Sequence, residues 1–346
     1  MKVLLIILLL VGLIIPVQAN EIAAPPVTGE AEVLMPDGMP SFGEGLWYIT
    51  KTAIKGLMPD FIQDYRLCLT AIGIAILISL LNSFNSKTSD MVNMAGVLGT
   101  STLLLGTAST LIHTASETVR EISSYGKLLL PVMTAAVAAQ GGTGSSAVLY
   151  TGTAFFDTLL GSVISSVLIP MVYLFLTLVI GHCAMGENLL KQLRDLFKWL
   201  IAWCMKTILY VFTGYMSLSS VITGGADKAA LKAAKMAISS AVPVVGGIMS
   251  DASETILLSA GVVKNAVGVY GLLAIIAILI MPFLRIGILY LLLKCTVAVC
   301  GIVSSEKISE LIKGFSEAMG VLLGMTGTVS LLFLISIVCF LKGVSG

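Results

Sequence analysis

Apolar positions in this chain run in blocks longer than a soluble core helix needs, and short polar stretches separate the blocks. Val3 to Ile15 is the first block. Lys2 precedes it, and Pro16 and Val17-Gln18-Ala19 follow. The block is short for a span and ends in an A-x-A-like site. The pattern therefore predicts a signal peptide over 1–19, with an uncleaved first helix as the alternative. Leu67 to Leu81, extendable to Phe84, and Met91 to Ile112 read as an N-terminal pair of spans within 67–112. The second is rich in Gly, Ala, Ser and Thr, which suits close packing inside a bundle.

Residues 20–66 hold seven acids (Glu21, Glu30, Glu32, Asp37, Glu44, Asp60, Asp64) against Lys51, Lys55 and Arg66. Exported loops are poor in Lys and Arg, so this segment reads as extracytoplasmic. Four prolines make its first half a tether. After them Trp47, Ile54, Leu57, Met58, Phe61, Ile62 and Tyr65 recur at helical spacing, opposite Lys51, Lys55 and Asp60. This predicts an amphipathic helix, lying on the membrane surface or packed on the membrane domain. His113 to Lys127 reads as a polar interlude, with His113 a solvated loop-end residue.

Beyond residue 60 only Pro131, Pro170, Pro243 and Pro282 remain, and each pair is 39 residues apart. A shift of 112 lays one pair on the other and Cys183 on Cys295. A shift of 115 lays "LRDLFKWL" (193–200) on "ISELIKGF" (308–315), with apolar residues, an acid and a lysine at matching places. Two copies of one unit are expected, 113–223 and 224–346, with coincident proline spacing as the alternative. Each copy runs through four parts: a short Pro-led, Gly-interrupted segment (128–142, 240–250), a long apolar stretch broken by proline (147–183, 255–294), an amphipathic surface helix (187–198, 304–313) and a span (199–223, 316–341).

The short segments cannot cross a bilayer, which takes about 20 apolar residues. Broken helix at membrane depth persists only when protein or a wet cavity shelters it. Pro131, Gly141, Gly142 and Gly144, with Pro243, Gly246 and Gly247, are therefore candidate re-entrant hairpin and conduit residues. Pro170 and Pro282 are candidate helix breaks. Whether the copies are parallel or inverted stays open, because Lys191, Arg194 and Lys198 compete with Lys228, Lys232 and Lys235 for the cytoplasmic side. The fold class expected is an all-α polytopic membrane protein with two repeats of re-entrant or Pro-broken helices after an N-terminal pair of spans.

Composition agrees. Of 346 residues, 57% are hydrophobic and 11% charged, too few charges to cover a water-facing surface. A net charge of +1 carries no argument for nucleic acid. The six cysteines sit in apolar segments without Cys-x-x-Cys and read as buried thiols. Asp157, Lys206 and Arg285 interrupt apolar runs and should face protein or water. Asp157 and Arg285 lie in corresponding arms, so a pair between them is expected, either structural or lining a conduit. "GGTGSS" (141–146) lacks the ending of a phosphate-binding P-loop. No acid or serine stands near His182 in a triad-like arrangement. No catalytic constellation, metal set or cofactor motif is found.

"LLLPVMTAAVAAQGGTGSSAVLY" and "YMSLSSVITGGADKAALKAAKMAISSAVPVVGGIMSDASETILLSAGVVKNAVGVYG" (215–271) complete the picture. With the order of parts, they make the chain resemble the stage III sporulation protein AE family over roughly residues 60 to 341. The resemblance implies a component of the assembly that joins mother cell and forespore, sited in the outer forespore membrane. It implies partners from the same operon and a facing forespore-membrane partner, and it supplies no catalytic residues. The function expected is a conduit subunit, with self-association left open. A small-solute secondary permease is the alternative, because broken, repeated segments fit either.

Overall fold

The computed structural model describes residues 24–27, 29–36, 41–84, 89–139, 143–241, 246–303 and 306–342; over 219–241 and 246–264 it describes the backbone alone. The expected signal peptide, Gly141, Gly142 and Pro243 fall outside the described residues.

Among the described residues the structure is all helix. The elements are α1 (Glu30–Leu34), α2 (Phe42–Gly56), α3 (Met58–Phe84), α4 (Ser89–Ala139), α5 (Thr143–Val163), a π-helical turn (Ile164–Leu168), α6 (Ile169–Met185), α7 (Asn188–Ala241), α8 (Gly246–Val303) and α9 (Glu306–Lys342). Six stretches are long and apolar enough to cross a membrane: Met58–Phe84, Ser89–Ala139, Ser146–Met185, Asn188–Leu218, Asn265–Ile302 and Glu306–Leu341. The chain is a multi-pass membrane protein.

Helix α9 forms the axis of the bundle. Ile308, Leu311, Ile312, Phe315, Met319, Leu322, Met325, Val329, Phe333, Ile337 and Phe340 are all buried along it. They recur every three or four residues, which places them on one broad stripe. Helices α4 to α8 pack around that stripe, and α3 rests outside against α4 and α8. Lipid tails are as apolar as leucine, so tight packing, not transfer from water, holds such helices together. Gly126 of α4 shows how tight: a Cβ there would come within 2.0 Å of the Phe333 ring.

The amphipathic stretch 47–65 is not one helix. Helix α2 starts at a capping box, in which Ser41 Oγ accepts from Glu44 N–H and the Glu44 carboxylate accepts from Ser41 N–H. It ends at Leu57. Pro59 lies in the first turn of α3, where its missing N–H costs nothing. Met58, Phe61 and Tyr65 therefore belong to the first span. Ile49 and Ala53 bury α2 against the bundle, while Trp47 and Ile54 stay exposed.

The expected polar interlude 113–127 and short segment 128–142 are corrected as well. Over 113–139 both are the continuation of α4, a single helix of 51 residues. Glu117, Arg120, Glu121 and Lys127 all lie on its exposed side, while Val119, Ile122 and Leu129 are buried. Pro131 passes through this helix without ending it. An interior proline costs about 3 kcal/mol, because it removes one N–H and crowds the carbonyl four residues back. Here that carbonyl belongs to Lys127, which lies with Pro131 on the exposed side of the helix. Packing of Leu130, Met133 and Val137 on the opposite face holds the helix straight through.

Candidate functional site

The two amphipathic octapeptides open α7 and α9, and the fold sets them side by side. Glu310 of α9 is the hub. It accepts from Arg194 Nη1 at 3.1 Å and lies 3.8 Å from Lys191 Nζ, both on α7. His182, in the last turn of α6, places Nε2 3.3 Å from the same carboxylate and Nδ1 3.0 Å from the Glu187 carbonyl. Arg194 also donates from Nε to Asp195 at 3.0 Å, and Lys198 pairs with Glu317 at 3.0 Å. Gly186 makes this meeting reachable. Its φ of +78° lets α6 stop in a left-handed cap, with its N–H on the His182 carbonyl at 2.7 Å. Only two residues then join α6 to α7. The two octapeptides thus occupy one end of the bundle. Lys191 and Lys235 stand near opposite ends of one 54-residue helix.

At the other face of the bundle α8 carries Pro282 and Arg285. The expected break at Pro282 is not formed; α8 runs through it from Gly246 to Val303. Pro282 and Arg285 line a cleft of about 370 Å³ together with Glu30, Asp60 and Met281. Arg285 Nη2 lies 3.4 Å from Asp60 of α3. Asp157 is buried in α5 and accepts from Ser123 Oγ at 2.6 Å. Asp157 and Arg285 are therefore not a pair: each finds its partner on a different neighbouring helix. A second buried polar contact, Thr153 to Ser336 at 2.8 Å, ties α5 to α9.

Pro170 behaves differently from Pro282. It sits in the first turn of α6, directly after the π-helical turn. Its missing N–H would have reached the Ser166 carbonyl, and the widened turn absorbs that loss. Gly144 lies in the first turn of α5, while Gly246 and Gly247 open α8. Leu129, two residues before Pro131, packs on Gly271. That glycine stands 24 residues along α8 from Gly247, about 36 Å of helix. Among the described residues no three His, Cys, Asp or Glu groups converge on a metal-sized site.

The sequence pattern of the family described as Stage III sporulation protein AE matches residues 42–343. The chain belongs to that family. The match begins at Phe42, the first residue of α2, and ends one residue past α9. The family region therefore spans α2 to α9 and leaves out α1. The protein described as "Stage III sporulation protein AE" from Bacillus subtilis (strain 168) is similar over 272 residues at 24% identity, covering 78% of this chain and 68% of that protein. No solved structure matches the chain.

In this AE-family protein the cluster around Glu310 is what reading the sequence missed. Arg194 and Glu310 are 116 residues apart, and no local spacing announces them. One signal was present: the matched octapeptides carry opposite charges at neighbouring positions, so parallel copies laid together would pair.

Proposed function

We propose that this AE-family protein is a conduit-forming subunit of the sporulation membrane assembly joining mother cell and forespore. It works in the outer forespore membrane with other proteins of its operon and a facing forespore-membrane partner. The observation that carries the reading is the length of the helices. Helix α4 is about 76 Å long and α8 about 87 Å, against about 40–45 Å for a bilayer with its headgroups. The excess of α4 carries the exposed charges Glu117, Arg120, Glu121 and Lys127, and α1 lies beside Glu121. That combination suits a body that crosses one membrane and reaches out of it on the side of the N-terminal segment.

Two further readings belong to the proposal. Residues 113–223 and 224–346 are two parallel copies of one unit, which the Arg194–Glu310 contact supports. The glycine-bearing connections near Gly142 and Gly247 are the water-accessible points of the path. Large apolar residues exposed beyond the octapeptide end, Phe155, Tyr210 and Leu218 among them, suit contact with further subunits or lipid.

Reconstitution tests the role. Purified alone in liposomes, the protein should move no small solute, and flux should appear only with its partner proteins. Solute transport by the chain alone would replace the conduit reading with a permease. In a cysteine-free background, Arg120→Cys, Gly142→Cys and Gly247→Cys should react with a membrane-impermeant maleimide added from outside. Leu98→Cys, within the apolar half of α4, should be protected.

A further inference from the structure

Between α7, α8 and α9 lies a second cleft, of about 390 Å³, that the role above does not use. Its polar wall holds Lys198 and Lys206 of α7, Lys294 of α8 and Glu317 of α9. Glu317 is already engaged by Lys198 at 3.0 Å. Lys294 lies 5.6 Å from the centre of the Tyr290 ring, and neither it nor Lys206 meets a carboxylate among the described residues. Three ammonium groups against one carboxylate leave the cleft with an excess of two positive charges. Gly320, Gly324 and Ala202 add little side-chain bulk, and Met205, Tyr290 and Val321 line the rest, which makes an apolar slot between helices.

The neighbourhood fixes the depth. Helix α7 is amphipathic up to Lys198 and, Lys206 apart, apolar from Trp199 to Phe212. Trp199 and Trp203 stack on one another, with ring centres 6.1 Å apart, and both face outward. Exposed tryptophan marks the boundary between headgroups and acyl chains. A cationic cleft at that depth, floored by a slot of small residues, matches a molecule with an anionic phosphate at one end and hydrocarbon at the other. Basic pockets between spans hold such headgroups.

We propose that this cleft is a binding site for an anionic phospholipid, with Lys206 and Lys294 on the phosphate and an acyl chain along Gly320 and Gly324. The site does not depend on which solute the assembly moves, or on whether it moves one.

The two outward tryptophans supply the readout. In a Trp47→Phe background they are the sole tryptophans. The full chain is placed in phosphatidylcholine vesicles containing a small fraction of brominated phosphatidylglycerol or brominated phosphatidylcholine. Quenching should favour the phosphatidylglycerol. Lys206→Gln with Lys294→Gln should lower that preference roughly twenty-five-fold, at about fivefold per lysine. Lys206→Arg with Lys294→Arg should keep it, which separates lost charge from lost fold. Equal quenching by the two lipids in the parent protein would overturn the proposal. So would an undiminished preference in the double Gln variant. Relief of quenching by millimolar inorganic phosphate would reassign the cleft to a soluble anion and overturn the lipid.

Discussion

The octapeptides at 193–200 and 308–315 share one binary pattern and meet opposite fates. Leu193, Leu196 and Leu200 of α7 are exposed, whereas Ile308, Leu311 and Phe315 of α9 are fully buried. Half of the most apolar stretch of α9 is buried, against 17% for α7. The residue that separates them is the seventh. In α7 it is Trp199, turned outward; in α9 it is Gly314, where a Cβ would come within 2.3 Å of Val179 Cγ1. A periodic apolar stripe tells which face of a helix seeks apolar surroundings. It does not tell whether protein or lipid provides them. The small residue on the stripe does, because only it lets another backbone close in.

That difference can be tested at its sharpest point first. Gly314→Val forces α6 and α9 apart and should cost about 3 kcal/mol or more. Thermal unfolding in detergent would read this as a large drop in midpoint; an unchanged midpoint would mean that α6 does not rest on α9. Glu310→Gln comes next. A fully buried pair broken on one side costs about 3–5 kcal/mol. Glu310 keeps a quarter of its side-chain surface, so about 1–2 kcal/mol is expected. A double-mutant cycle with Arg194→Met should recover part of it, and strict additivity would show that α7 and α9 are not joined there. Trp199→Ala should change stability by no more than about 0.5 kcal/mol, since only the equally exposed Trp203 stacks on it. If Trp199→Ala matched Gly314→Val, the contrast between the two helices would collapse.

The same contrast explains what the chain disclosed before its fold was known. Apolar blocks and the all-helical class follow from local pattern, and they stand; the two separate surface helices do not, since each octapeptide is the opening of a long helix and the second is buried. Helix continuity does not follow from it. Pro131 and Pro282 look alike in sequence to Pro170, yet only Pro170 lies beside a changed register. Whether a proline interrupts depends on what packs across the helix from it, such as Met133 and Val137 beside Pro131. Partner choice was equally hidden. Arg285 has Asp60 and Asp157 has Ser123, because α8 and α5 lie against different neighbours; the first pair is 225 residues apart in the chain and the second 34. The Glu310 cluster was veiled for the same reason.

Helix α4 has a mechanical consequence. Near one end Asp90 holds Lys307 at 3.6 Å, and about 46 Å away along the same rod Glu121 borders α1. No joint lies between them. A protein that gripped α1 would swing α4 as a lever, and the motion would arrive at the α8–α9 corner at the far end of the rod.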